Sequence, residues 1–347
     1  MNKRSLSALC AAMLLFSVLI RTALAAGIDL PAEQPAAEFA RWMLLSETGR
    51  AAPMPDEPTE QRVWRLHILE QAKHVPLREL LPQSREPEPE PGPEMPAAFT
   101  AAEAEAIEIS GGCTYAVDKT SLLLRPSAMD FSGGGPKVLI VHTHSSEAYT
   151  PHSGWEYEQS DLLRTEDPMR SVIRVGSEIA EVLEAAGIET LHDTALNDYP
   201  TYSGAYARME ATIKGYLAEY PSIQMVLDVH RDAAEDANGM QVAFTRQIEG
   251  ENCAQVMLVV GTDEGGLEHP DWQENLANAL KLQAILNRKF PGLCRPIDLR
   301  TERFNAHLTK GSVLAEFGCT GNTLAQAIRA GRHFAEGLVE LIRTLTP

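Results

Sequence analysis

The stretch "KVLIVHTHSSEAYT", residues 137 to 150, starts as a strand and ends in groups that can do chemistry. Val138 to Val141 are four consecutive apolar residues, three of them β-branched, bounded upstream by the chain-breaking "SGGGP" at 132 to 136. An unbroken apolar run of this length suits a strand buried on both faces, as in parallel sheets covered by helices. His142 and His144 follow at once. Lying two apart, they point to the same side of an extended chain. That spacing suits a metal ion and equally suits two histidines at the rim of a sheet.

Moving downstream, strand-like and helix-like segments alternate. "MRSVIRVGSEIAEVLEAAGI" carries Val172, Val175, Ile179, Val182 and Leu183 on one helical face and ends at Gly187. A short strand "ETLHDT", a helix in "YSGAYARMEATIKGYLAEYP" and an apolar strand "QMVLDVH" come next. The alternating "MQVAFTRQ" and "AQVMLVVGT", an amphipathic helix "DWQENLANALKLQAILNRKFPG", the strand "SVLAEFG" and a last helix from Asn322 complete the series. The pattern predicts an α/β fold, a mostly parallel sheet with helices on both faces. Between the linker and "SGGGP", "CTYAVDKTSLLLRPSAMDF" reads as one or two short strands.

Upstream, the composition divides the chain. Residues 1–25 have a basic start at Lys3 and Arg4, an apolar run to Ile20 and a small-residue exit at Ala23 to Ala25, the layout of an export signal. Arg21 could snorkel and keep the segment as a membrane anchor. Residues 26–81 show short helical periodicity and form a small helical region. Residues 82–110 are acidic and rich in proline, predicting a solvated linker. Residues 111–347 remain as the α/β domain. The 30 basic and 48 acidic residues give a net charge of −18, which excludes a nucleic-acid binder working through phosphate contacts. Cys113, Cys253, Cys294 and Cys319 permit two disulfides or four small buried residues, and no CxxC pair offers a thiolate zinc site.

Ligands of open α/β sheets bind beyond the carboxyl ends of the strands. Three predicted strands carry metal-capable groups there: His142 and His144, then His230, then Glu316. A catalytic zinc takes three nitrogen or oxygen ligands and leaves a place for water, whose pKa it lowers. Glu316, between Ala315 and Phe317, would be costly to bury without a partner or a metal. Arg303, Asn305 and His307 offer substrate-binding chemistry in a loop, and His192 reads as a hydrogen-bonded structural histidine. GxSxG, the phosphate-binding P-loop and HExxH are all absent.

"VLIVHTHSSEAY", "YPSIQMVLDVHRDA", "MLVVGTDEGGLEHPDWQENLANALKLQ", "FPGLCRPIDLRTERFNAHL" and "VLAEFGCTGNTLAQAI" together resemble the catalytic domain of the stage II sporulation protein P family, over roughly residues 137 to 335. The resemblance implies a cell-wall hydrolase of spore-forming bacteria that cuts the amide between N-acetylmuramic acid and L-alanine, with peptide-crosslink endopeptidase activity as well. It implies a fold similar to the zinc-dependent N-acetylmuramoyl-L-alanine amidases, with Zn2+ as cofactor. On that pattern His144 and His230 are metal ligands, Glu147 or His142 fills the remaining ligand position, and Glu316 is the catalytic base. Arg231 is then expected to hold a peptide carboxylate. The implied partners are peptidoglycan and a glycan-cleaving enzyme resembling stage II sporulation protein D, outside the cytoplasm between mother cell and forespore. The competing expectations are a catalytically weak wall-binding scaffold and a secreted zinc hydrolase of other amides.

Overall fold

Val138 to Val141 are all fully buried, as a strand covered on both faces must be. In the computed structural model, residues 99–158 and 163–346 are described, all within the unit Glu86–Pro347. The signal segment, the helical region 26–81 and the linker up to residue 98 lie outside the described residues.

In chain order the elements are α1 (Ala101–Ala106), β1 (Ile109–Ser110), α2 (Lys119–Leu124), β2 (Val138–Val141), α3 (Val172–Ala185), β3 (Thr190–His192), α4 (Ala205–Glu219) and β4 (Met225–Asp232). Then come β5 (Thr245–Ile248), β6 (Glu251–Ala254), β7 (Val256–Gly261), α5 (Trp272–Lys289), β8 (Ile297–Arg300), a 3-10 turn (Ala306–Leu308), β9 (Val313–Cys319) and α6 (Leu324–Leu345). Seven strands form one sheet in the order β1-β8-β7-β9-β4-β2-β3, and β5 and β6 make a separate antiparallel hairpin. Every neighbouring pair in the large sheet is parallel except β7 with β9. The carboxyl ends of β2, β3, β4 and β9 therefore share one end of the sheet.

Strand alternation sorts the core. Val138, Ile140, Leu227, Val229, Ala315 and Phe317 join the large apolar cluster with residues of α3, α5 and α6. Leu139, Val141 and Val226 turn the other way, onto Met209 and Ile213 of α4. Helices thus cover both faces, with α4 on one side and most of the helical mass on the other. The α3 helix begins at Ser171, whose side chain accepts from the Ile173 N–H, and it packs closely on α6. A Cβ at Gly331 would come within 3.0 Å of Val175 Cγ1.

Two expectations change. Residues 99–110 are not linker: α1 carries a full capping box between Thr100 and Glu103, Ala104 and Ile107 are buried, and β1 pairs with β8. Residues 119–124 form a helix where strands were predicted, because Asp118 accepts from the Ser121 N–H and caps it. The four described cysteines are all free, with Cys253 and Cys319 buried.

Candidate active site

The register between strands assembles the site. His230 on β4 lies opposite Glu316 on β9, and Val141 on β2 lies opposite Asp228 on β4. Because side chains alternate along β4, Val226, Asp228 and His230 share the face that α4 covers. Past Val141 the chain leaves the sheet in a tight turn, in which the Glu147 N–H donates to the His144 carbonyl at 3.1 Å. That turn brings Glu147 under His230.

Three buried groups contact each other there. Glu147 Oε2 accepts from the Arg231 N–H at 3.1 Å and stands 3.3 Å from His230 Nδ1. His230 Nε2 is 2.9 Å from Asp228 Oδ1, although the nitrogen lacks an aligned hydrogen bond. Burial alone would lower the His230 pKa, but the carboxylates of Asp228 and Glu147 outweigh it and hold the pKa well above the usual range. Burial likewise works to raise Asp228 and Glu147, and the neighbouring His230 brings both below the ordinary carboxylate range. His144 lies beside them, its ring 5.4 Å from that of His230, stacked on Tyr202 at 4.3 Å and edge-on to Tyr206 at 5.4 Å. Burial lowers its pKa to about 4, and its Nδ1 is buried without a hydrogen-bond partner.

Glu316 completes the set. Its Oε2 is buried and unpartnered; burial pushes its pKa up to about 8, with the Glu147 charge adding and His230 opposing.

A fourth carboxylate braces the loop that carries His144 and Glu147. Asp198 accepts from Ser145 Oγ at 2.9 Å, from the Ser146 N–H at 2.9 Å, from Ser146 Oγ at 2.7 Å and from Arg164 Nη1 at 2.6 Å. Its Oδ2 is 3.9 Å from His144 Nδ1.

Other sequence candidates fall elsewhere. His142 turns toward α3, where its Nδ1 meets the Val229 carbonyl at 3.1 Å and its Nε2 meets His192 Nε2 at 2.8 Å. With both ring nitrogens engaged, it stands apart from the cluster, and Glu147 is the contender inside it. Arg231 does not reach out for a peptide carboxylate: its buried guanidinium donates to the carbonyls of Ala148 and Leu163 and pins the loop behind Glu147. Arg303, Asn305 and His307 brace α4 instead of lining the cluster. Asn305 donates to the Tyr206 carbonyl at 2.7 Å, while Arg303 and His307 face Glu210 at 3.8 and 3.7 Å. Sequence reasoning missed Asp228, Asp198, Tyr202 and Tyr206. Asp228 had a signal, since it precedes His230 by two in a strand; the others lie on a loop and at a helix start with no such pattern.

Among the described residues, no three His, Cys, Asp or Glu side chains already converge at metal-binding distance. The donors nevertheless fit zinc in chemistry: two imidazoles and a carboxylate, with Nδ1 of His144 buried and unpartnered. The 3.3 Å between His230 Nδ1 and Glu147 Oε2 also matches the roughly 3.3 Å that two ligands of one tetrahedral zinc keep when each bond is about 2.0 Å.

Fold and site define an α/β protein with a histidine and carboxylate centre at the carboxyl ends of adjacent parallel strands. The sequence model of the stage II sporulation protein P family matches residues 73–339, and the chain belongs to that family. Stage II sporulation protein P of Bacillus subtilis (strain 168) is 27% identical over 221 residues, covering 60% of this chain and 52% of the relative. The chain thus matches about half the length of that curated relative. Among solved structures, the N-acetylmuramoyl-L-alanine amidase AmiC2 of Nostoc punctiforme is similar at 12% identity and a TM-score of 0.35, over 61% of this chain and 97% of that one. The amidase Ami1 of Mycobacterium abscessus is similar at 15% identity and a TM-score of 0.36, over 61% and 98%.

Proposed function

We propose that this chain is an exported peptidoglycan hydrolase of sporulation, a zinc-dependent N-acetylmuramoyl-L-alanine amidase that also cuts peptide crosslinks. The observation that carries this reading is the grouping of His144, Glu147 and His230, with Glu316 opposite His230 on the next strand. Membership of the sporulation family supports the substrate class. Residues 1–25 support export, which would place the enzyme between mother cell and forespore beside a glycan-cleaving partner of the stage II sporulation protein D type.

His144, Glu147 and His230 are the residues that would hold zinc. Bound there, zinc would supply Lewis-acid polarisation and an acidified water, and its charge would favour the ionised form of Glu316. Glu316 takes a proton from the attacking water and returns it to the departing alanine nitrogen. Its Oε2, buried without a hydrogen-bond partner, is the oxygen left available for that transfer. Asp198, Arg231 and Arg164 hold the loop in place, and Tyr202 and Tyr206 wall His144 off from bulk water.

The test digests purified peptidoglycan with the full-length chain and with Glu316→Ala and His230→Ala. Wild type with zinc should release stem peptides with free L-alanine amino ends, and Glu316→Ala should be slower by about 10²- to 10⁴-fold. Absence of any released amino ends from the zinc-treated wild type would favour a wall-binding scaffold instead. Full activity in either variant would overturn the assigned roles.

A further inference from the structure

We infer that Asp228 is a positioning carboxylate that selects which nitrogen of His230 faces the metal site, an inference resting on the zinc reading above. Strand alternation gives Asp228 and His230 the same face of β4, and both are buried. The two nitrogens of His230 face different carboxylates. Nε2 approaches Asp228 Oδ1 at 2.9 Å, while Nδ1 is turned to Glu147 Oε2 at 3.3 Å. A carboxylate beside one nitrogen keeps the proton there and leaves the lone pair on the other. Asp228 therefore assigns the proton to Nε2 and presents Nδ1 toward Glu147, a group already inside the candidate ligand set.

Asp228 does a second thing from the same place. It accepts from the Thr143 N–H at 2.8 Å and from Thr143 Oγ1 at 2.5 Å. Thr143 is the residue between His142 and His144. The backbone bond from the Thr143 N–H, which does not depend on the hydroxyl, ties the turn that carries His144 to the strand that carries His230. Glu316 lies across from His230 but leaves Oε2 unpartnered, so it does not duplicate this role.

The experiment measures zinc affinity of the full-length protein by competition with a fluorescent chelator, for wild type, Asp228→Asn and Thr143→Val. Asparagine keeps the shape and an acceptor for Thr143 but loses the charge behind His230. Valine removes the Thr143 hydroxyl bond but leaves the carboxylate on His230. Asp228→Asn should bind zinc about 10- to 100-fold more weakly, and Thr143→Val should stay within about threefold of wild type. Asp228→Asn binding as tightly as wild type, or Thr143→Val weakening as much as Asp228→Asn, would overturn the inference while leaving the zinc reading intact. A wild type that binds no zinc would overturn both. Should Asp228→Asn fail to fold, long-range ¹⁵N–¹H spectra of zinc-loaded wild type decide the matter. His230, assigned by comparison with His230→Gln, should show its proton on Nε2, and a proton on Nδ1 would sink the proposal.

Discussion

His142 and His192 meet Nε2 to Nε2 at 2.8 Å against Gly176, where a Cβ would lie 2.7 Å from the His142 ring. The two nitrogens can share only one proton, so the pair is stable when both rings are neutral. Burial lowers His142 to about 4 and His192 well below its ordinary 6.5. Above pH 6.5 both the folded and the unfolded chain are neutral at these sites, so nothing is lost. As pH falls below 6.5, the unfolded chain takes up protons that the folded pair refuses, and stability drops. Between pH 6.5 and 5 each histidine removes about 2 kcal/mol. Urea unfolding at the two pH values should show His192→Gln losing about 2 kcal/mol less than wild type, and an unchanged loss would dismiss the account. At this scale the sequence was a good guide to residue types and a poor one to their targets. The two-residue spacing made His142 and His144 look equivalent, yet β2 ends at Val141, just before them, and the turn sends one toward α3 and the other to Tyr202.

At the scale of elements, Gly176 and the α1–β1 extension carry the sharpest consequences. Gly176→Ala puts a methyl group into the space of two hydrogen-bonded rings and should cost about 1 to 3 kcal/mol, read as a lower urea midpoint without a changed slope. Cutting the chain at residue 111 removes α1 and β1 and uncovers the pocket filled by Ile107, which is 1% exposed. A protein starting at 111 should be less stable than one starting at 99 by about 2 to 4 kcal/mol, and equal thermal midpoints would contradict the packing described. The long helices α3, α4, α5 and α6 and the strands β2, β4, β7 and β9 were legible because their apolar spacing runs long enough to fix a period. The short pieces were not. Proline-rich surroundings hid α1, and β8, four residues long, has too few positions to show alternation. Asp118 turned a leucine run into a helix through one capping bond.

For the whole molecule, zinc held by residues from the turn after β2 and from β4 would tie separate parts of the chain together only when folded. Zinc at about 100 times its dissociation constant should then raise the unfolding free energy by about 2.7 kcal/mol. A thermal scan should show the midpoint rising with zinc in wild type and staying put in His230→Ala. Strand direction, unlike strand existence, leaves no trace in hydrophobic periodicity, so the mixed character of the sheet at β7 and β9 was not readable in advance. The family motifs, by contrast, singled out His144, His230 and Glu316 without any geometry, because those motifs are long and keep their order along the chain, and the register places Glu316 opposite His230.

The antiparallel seam between β7 and β9 divides the sheet into two halves with opposite polarity. In one half β9, β4, β2 and β3 deliver their exits to the end that holds His230 and Glu316; in the other, β7 and β8 deliver theirs to the opposite end. The turn after β7, where Leu267 is exposed, consequently leaves the sheet at the end opposite His230. A fluorescent peptide or affinity tag grafted between Gly266 and Leu267 should leave peptidoglycan cleavage within about twofold of the parent, because exposed loop tips tolerate insertion. The same graft between Thr201 and Tyr202, beside His144, should abolish it.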